Sequence, residues 1–108
     1  MNKMREITYE QVLNHRKLGG AMLLIDIREE YEFEDGHLPG SINIPMDEVL
    51  NYLELNANKE IKIVIYCNTG RRSKPVVYML DKMKNISAFN LMEGYKKLNE
   101  KWGISSAG

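Results

Sequence analysis

The chain holds a single cysteine, Cys67, in the stretch "IVIYCNTGRRSKPVVYML" from Ile63 to Leu80. An apolar run leads into it, and a polar loop with one glycine and two arginines leads out toward a helix-like segment. This placement suits nucleophilic sulfur chemistry. The thiolate is the nucleophile, and a free cysteine of pKa about 8.5 is ionised more readily beside cations or a helix N-terminus. Arg71, Arg72 and Lys74 supply positive charge, and a helix starting near Ser73 would turn its free N–H groups on the loop. Gly70 allows φ > 0, so successive N–H groups can face inward as an anion nest. A thiolate, an anionic substrate or a sulfur-bearing adduct could sit there. For a cysteine alone, the plainer reading is a buried core residue. The glycine and the two arginines argue against it, because a core thiol needs neither. The arginines could also serve a solvated face or a structural ion pair, with Asp26 as partner for Arg72 or Arg28. The expectation is that Arg72 points into the structure and Arg71 out to substrate.

The elements that must hold this loop are legible as an alternation. "TYEQVLNHRKL" carries a capping-box pattern, Thr8 with Gln11 three residues on, and predicts a helix ending near Gly19 and Gly20. "MLLIDI" (Met22 to Ile27) is a short continuous apolar run, the mark of a strand buried on both faces. "REEYEFEDGHLPG" reads as a helical turn and a loop, and "SINI" as a short strand stopped by Pro45. "MDEVLNYLEL" predicts a helix, and the β-branched "IKIVIYC" is the clearest strand. "SKPVVYMLDKM" follows as a helix with Pro75 in its first turn, then "ISAFNL" as a strand and "YKKLNEKW" as a closing helix. Alternating strands and helices predict an α/β fold, a three-layer α/β/α arrangement around a mostly parallel sheet of about five strands. Ligands in such sheets bind at the carboxyl ends of strands, where Cys67 lies.

Composition narrows the function classes. With 108 residues, 44% hydrophobic and 28% charged, the chain fits one domain over residues 1–108. Net charge is zero, which argues against a nucleic-acid partner. No apolar run approaches the roughly 20 residues of a membrane span, so no membrane partner is expected. The charged start "MNKMREITYE" lacks signal-peptide character, and the lone cysteine fits a reducing compartment, so a cytoplasmic location is expected. The two histidines, His15 and His37, have no ligand spacing with the cysteine, so neither a metal nor a cofactor is expected.

Taken together, these segments resemble the rhodanese family of sulfurtransferases. "LLIDIREEYEFEDGHLPGSINIP" (Leu23 to Pro45) resembles its Asp-x-Arg and Gly-His-x-Pro-Gly signature. "VIYCNTGRRS" (Val64 to Ser73) resembles its active loop, and "NLMEGYKKLNEKW" (Asn90 to Trp102) its closing Gly-Gly and Trp element. The resemblance implies a single-domain thiosulfate sulfurtransferase. Cys67 would attack the sulfane sulfur of thiosulfate or a related donor and carry it as a persulfide. Asn68, Thr69, Gly70, Arg71 and Arg72 would bind substrate. Cyanide, a low-molecular-weight thiol or a partner protein would accept the sulfur. The usual glycine pair is Glu93-Gly94 here, and Glu93 is expected to face solvent rather than the cleft.

Other side chains carry plainer expectations. His37 is expected to bond backbone within its turn, and His15 to lie on the surface. Met79 and Met83 are expected in the core, and Trp102 as a packing anchor. Three other readings compete, one of them a persulfide carrier slow with thiosulfate but fast with a dedicated protein donor. Some rhodanese-like domains are non-catalytic protein-binding modules, although most of those lose the cysteine. Related cysteine phosphatases and arsenate reductases place an arginine after five intervening residues, and Ser73 occupies that position here.

Overall fold

A computed structural model describes residues 5–103. β1 (Glu6–Ile7), β2 (Met22–Asp26), β3 (Ile42–Asn43), β4 (Lys62–Tyr66) and β5 (Phe89–Leu91) form one sheet. Its order is β1-β5-β4-β2-β3, and every described pairing is parallel. The expected α/β class and sheet are therefore present. The β4 run earns its central place through β-branched residues that can be buried on both faces. Ile63, Val64, Ile65 and Tyr66 are all at most 3% exposed.

Alternation along β4 divides the core into two layers. Ile63, Ile65 and Cys67 face α3 (Val49–Asn56) and α4 (Ser73–Lys84), and pack with Val49, Leu53, Val76, Val77 and Leu80. Val64 and Tyr66 face α1 (Tyr9–Lys17) and α5 (Gly94–Trp102), and pack with Val12, Leu91, Tyr95 and Leu98. The predicted three-layer arrangement follows. The short α2 (Glu30–Asp35) buries no residue. It follows the carboxyl end of β2, on the side of the sheet where Cys67 emerges.

The capping box predicted for α1 is formed, with Thr8 and Gln11 satisfying each other's backbone N–H groups. α3 begins at Val49 rather than Met46. The Met46 N–H is committed to the Ile27 carbonyl at 3.1 Å, so the chain still runs along the sheet there. Met83 departs from expectation: it is 66% exposed, because α4 buries Val76, Val77 and Leu80 instead. Trp102 is also partly exposed and meets Tyr9 edge-on at 6.0 Å.

Ile65 fills the centre of the α3/α4 layer with no exposed surface. Ile65→Ala should cost about 2–5 kcal/mol by the methyl groups lost and the cavity left. A lower urea midpoint at an unchanged slope would show this. An unchanged midpoint would contradict the central place assigned to β4.

Candidate active site

Cys67 follows directly on β4 and is wholly buried. The chain then turns through Asn68–Arg72 into α4. Gly70 has φ +85°, the left-handed conformation its position in the sequence suggested. Burial alone would push the Cys67 thiol up. Hydrogen bonds that the thiolate can accept from the Ser73 hydroxyl and from the backbone N–H groups of Ser73, Thr69 and Arg72 outweigh it and hold the thiol below its ordinary pKa. The loop is thus a ring of donors around one sulfur.

α5 sets the orientation of that ring. The Tyr95 N–H donates to the Cys67 carbonyl at 2.8 Å, and the Lys96 N–H to the Asn68 carbonyl at 3.0 Å. These carbonyls satisfy two free N–H groups of the first turn of α5. Each carbonyl is opposed across its peptide plane by the following N–H, so fixing these two carbonyls fixes the Asn68 and Thr69 N–H directions, and Thr69 is one of the ring's donors. The approach is close enough to require glycine. A Cβ on Gly94 would lie 2.4 Å from the Asn68 carbonyl oxygen, and its φ is +77°. Of the Glu93-Gly94 pair, Gly94 is the residue that touches the loop.

Glu93 does not face solvent as expected. Its carboxylate accepts from the Tyr9 N–H at 3.0 and 3.2 Å, binding the start of α1 to the start of α5. That contact also places negative charge at a helix N-terminus.

The arginines also depart in part from expectation. Asp26 pairs with Arg28 rather than Arg72. Arg28 Nη2 is 2.7 Å from Asp26 Oδ2, and the two side chains are 3% and 0% exposed. Arg28 also donates to the Gly36 carbonyl at 2.6 Å and to Asn68 Oδ1 at 3.1 Å, and lies 4.3 Å over the Tyr95 ring. The buried pair therefore steadies the loop through Asn68. Arg72 does not point inward. It is 43% exposed and reaches Glu32 Oε1 at 3.6 Å, while Glu32 Oε2 accepts from Asn68 Nδ2 at 3.0 Å. Arg71 is exposed, as expected. Thr69 is exposed beside it, with its hydroxyl 3.4 Å from the Arg71 N–H.

His37 donates from Nδ1 to the Phe33 carbonyl at 2.8 Å and stacks on the Phe33 ring, so it acts within its turn as expected. His15 is partly covered, with Nε2 3.1 Å from the Ala21 carbonyl. No group of three or more potential metal ligands occurs among the described residues. A groove of about 420 Å³ runs beside the loop, lined by Arg28, Glu32, Asn68, Tyr95, Lys96 and Glu100 among others.

Sequence reasoning did not single out Ser73 or Asn90. Ser73 Oγ is 3.4 Å from Cys67 Sγ and donates to Asn90 Oδ1. Asn90 Nδ2 in turn donates to Glu6 Oε2 at 3.0 Å. The available signal was a polar residue inside the apolar strand "AFNL".

A parallel α/β sheet with a cysteine at the carboxyl end of its central strand, held in a ring of backbone donors, defines a class of α/β folds built around a cysteine loop. The chain belongs to the Rhodanese-like domain family, whose sequence profile matches residues 8–101. It is similar to YqhL of Bacillus subtilis (strain 168), 35% identical over 80 residues, which cover 74% of this chain and 60% of that protein. It is also similar to the tRNA sulfurtransferase of Thermoplasma acidophilum, 32% identical over 81 residues covering 73% of this chain and 16% of that protein. The chain therefore spans less than two thirds of the length of either relative. Among solved structures, a rhodanese-like domain protein from Staphylococcus aureus superposes with a TM-score of 0.78 at 28% identity, covering 97% of this chain and 99% of that one.

Two outcomes follow from the ring of donors. Because the Cys67 thiol is held below its ordinary range, more thiolate is present at neutral pH than in free cysteine. The rate of iodoacetamide alkylation should therefore reach half its maximum at a lower pH than that of a free cysteine measured in parallel. A midpoint at or above that of the free cysteine would contradict the donor ring. Gly94→Ala should shift the midpoint upward and cost about 1–3 kcal/mol in a denaturant titration, since the methyl group displaces the loop and strains the backbone.

Proposed function

We propose that the protein is a sulfurtransferase that carries sulfane sulfur on Cys67. The observation that carries this reading is the lone cysteine, buried yet lowered in pKa by three backbone N–H groups and a hydroxyl. A buried thiol without a chemical task would be raised by its surroundings. The family membership, and the sulfurtransferase named among the relatives, support the same chemistry. On this reading residues 1–108 form one rhodanese-like domain, and the protein works in the cytoplasm.

In the first half-reaction the Cys67 thiolate attacks the outer sulfur of thiosulfate or a related donor. A new S–S bond forms, the donor's S–S bond breaks, and its electron pair leaves on sulfite. The outer sulfur of the resulting persulfide lies among the loop N–H groups, which stabilise its charge as an oxyanion hole would. Asn68, Thr69, Gly70, Arg71 and Arg72 form the substrate-binding loop. Arg71, exposed at the mouth, meets the anionic donor, and Arg72 holds the loop through Glu32. In the second half-reaction an acceptor attacks the outer sulfur, the S–S bond breaks, and the electron pair returns to Sγ. Cyanide would leave as thiocyanate. A thiol or a cysteine of a partner protein would leave as a persulfide. With one cysteine in these 108 residues, release falls to an external acceptor, and ping-pong kinetics are expected.

The geometry does not favour phosphate chemistry. The position a phosphate-clasping arginine would take is Ser73, and Arg72 is turned to Glu32.

Intact-protein mass spectrometry without reductant tests the proposal. Thiosulfate should add one sulfur, about 32 Da, to the wild type and none to Cys67→Ser, and cyanide should remove it. Arg71→Glu should slow loading by roughly tenfold or more through charge reversal at the mouth. No gain with thiosulfate or a polysulfide would overturn the proposal and favour a non-catalytic protein-binding module.

A further inference from the structure

Ser73 Oγ has one hydrogen and two neighbours that can take it, Cys67 Sγ at 3.4 Å and Asn90 Oδ1. Its direction is fixed from the far end of the chain of contacts. Glu6 pairs with Asn90 in the β1–β5 register, and its carboxylate only accepts, so Asn90 turns Nδ2 to it at 3.0 Å. Asn90 Oδ1 then faces Ser73 and takes the hydroxyl hydrogen. With that hydrogen committed, Ser73 Oγ presents only lone pairs to the sulfur, and Cys67 must be the donor, which is the thiol form. A thiolate has no hydrogen to give. When Cys67 ionises, the hydroxyl can stabilise Sγ only by rotating away from Asn90.

We propose that Asn90 and Glu6 are positioning residues that hold the Ser73 hydroxyl away from Cys67 until negative charge appears on Sγ. The proposal rests on Cys67 as the sulfur-carrying nucleophile and adds a step to each half-reaction. Once the persulfide has formed, Sγ is a neutral bridging atom, and the hydroxyl returns to Asn90. As an acceptor attacks the outer sulfur, the electron pair of the breaking S–S bond collects on Sγ. The hydroxyl then swings back and stabilises it. No proton leaves the serine; one hydrogen bond is exchanged for another. Other ionisable groups in the Cys67 loop or at the ends of the elements beside it include Asp26 at the end of β2, Arg28 after it, Glu32 on α2, Tyr66 on β4, Arg71 and Arg72 in the loop, Lys74 on α4, and Tyr95 and Lys96 on α5. Asp26 and Arg28 are paired, as are Glu32 and Arg72, and none of these groups is altered by the substitutions below.

The pH profile of iodoacetamide alkylation tests this without a sulfur donor, so its outcome is separate from whether thiosulfate loads the protein. Ser73→Ala should raise the midpoint by roughly one pH unit, the loss of one hydrogen bond to a charged group. Asn90→Leu should lower it by roughly half a unit, because the hydroxyl is freed for Sγ. The double variant should match Ser73→Ala alone, since Asn90 acts only through the hydroxyl. A midpoint raised or unchanged in Asn90→Leu, or a double variant below Ser73→Ala, would overturn the proposal. If Asn90→Leu does not fold, Glu6→Lys carries the test. In a Glu6→Gln variant the glutamine can either donate to Asn90 Oδ1 or accept from Asn90 Nδ2, so the lock on the amide is released rather than reversed. Lysine only donates, so Glu6→Lys must turn Nδ2 toward Ser73 and free the hydroxyl. Its midpoint should fall, and the fall should vanish in the Ser73→Ala background; no fall, or an equal fall in both backgrounds, would overturn the proposal.

Discussion

The active loop depends on two hydrogen bonds from α5, Tyr95 N–H to the Cys67 carbonyl and Lys96 N–H to the Asn68 carbonyl. Without them the loop carbonyls would be free to turn toward the sulfur and raise its pKa. With them, the free donors of a helix start are satisfied, and the loop donors remain directed at Sγ. Gly94 permits the approach, Gly70 permits the turn, and Leu98 and Tyr95 anchor α5 in the core beneath. The loop at the end of β4 thus rests on the packing of a helix from the far end of the described residues.

A second constraint comes from charge. Asp26 and Arg28 are both buried, a costly arrangement unless each is fully hydrogen-bonded. Here they are: Arg28 meets Asp26, the Gly36 carbonyl and Asn68, and Asp26 also accepts from the Arg28 backbone N–H. The pair joins the end of β2, the end of α2 and the Cys67 loop in one polar knot. Glu32 ties the same loop from outside through Asn68 and Arg72. Asn68 is thus gripped at both ends of its side-chain amide, and this fixes the residue that follows Cys67.

Local features were legible in the sequence, and contacts distant along the chain were not. The β-branched run before Cys67, the Thr8–Gln11 capping box and the positive-φ glycine each follow from a few adjacent residues, and each is present. β1 is only Glu6–Ile7, too short to show an alternation, and it exists because β5 offers it an edge. The role of Glu93 depends on the Tyr9 N–H, which no spacing rule links to it. Two cations beside a thiol suggest one for each task, with Arg72 inward and Arg71 outward. Glu32, on the helical turn that follows β2, draws Arg72 outward instead. Asn90 escaped notice because a polar residue in a short strand gains meaning only from its neighbours, Ser73 and Glu6.

The central claim is that the loop N–H groups face Sγ and respond to its charge. Amide resonances followed by NMR through the Cys67 titration test it most directly. The amides of Thr69, Arg72 and Ser73 should move together, downfield as the thiolate forms, with the same midpoint as alkylation. Ionisation of Cys67 with those three amides unmoved would contradict the account.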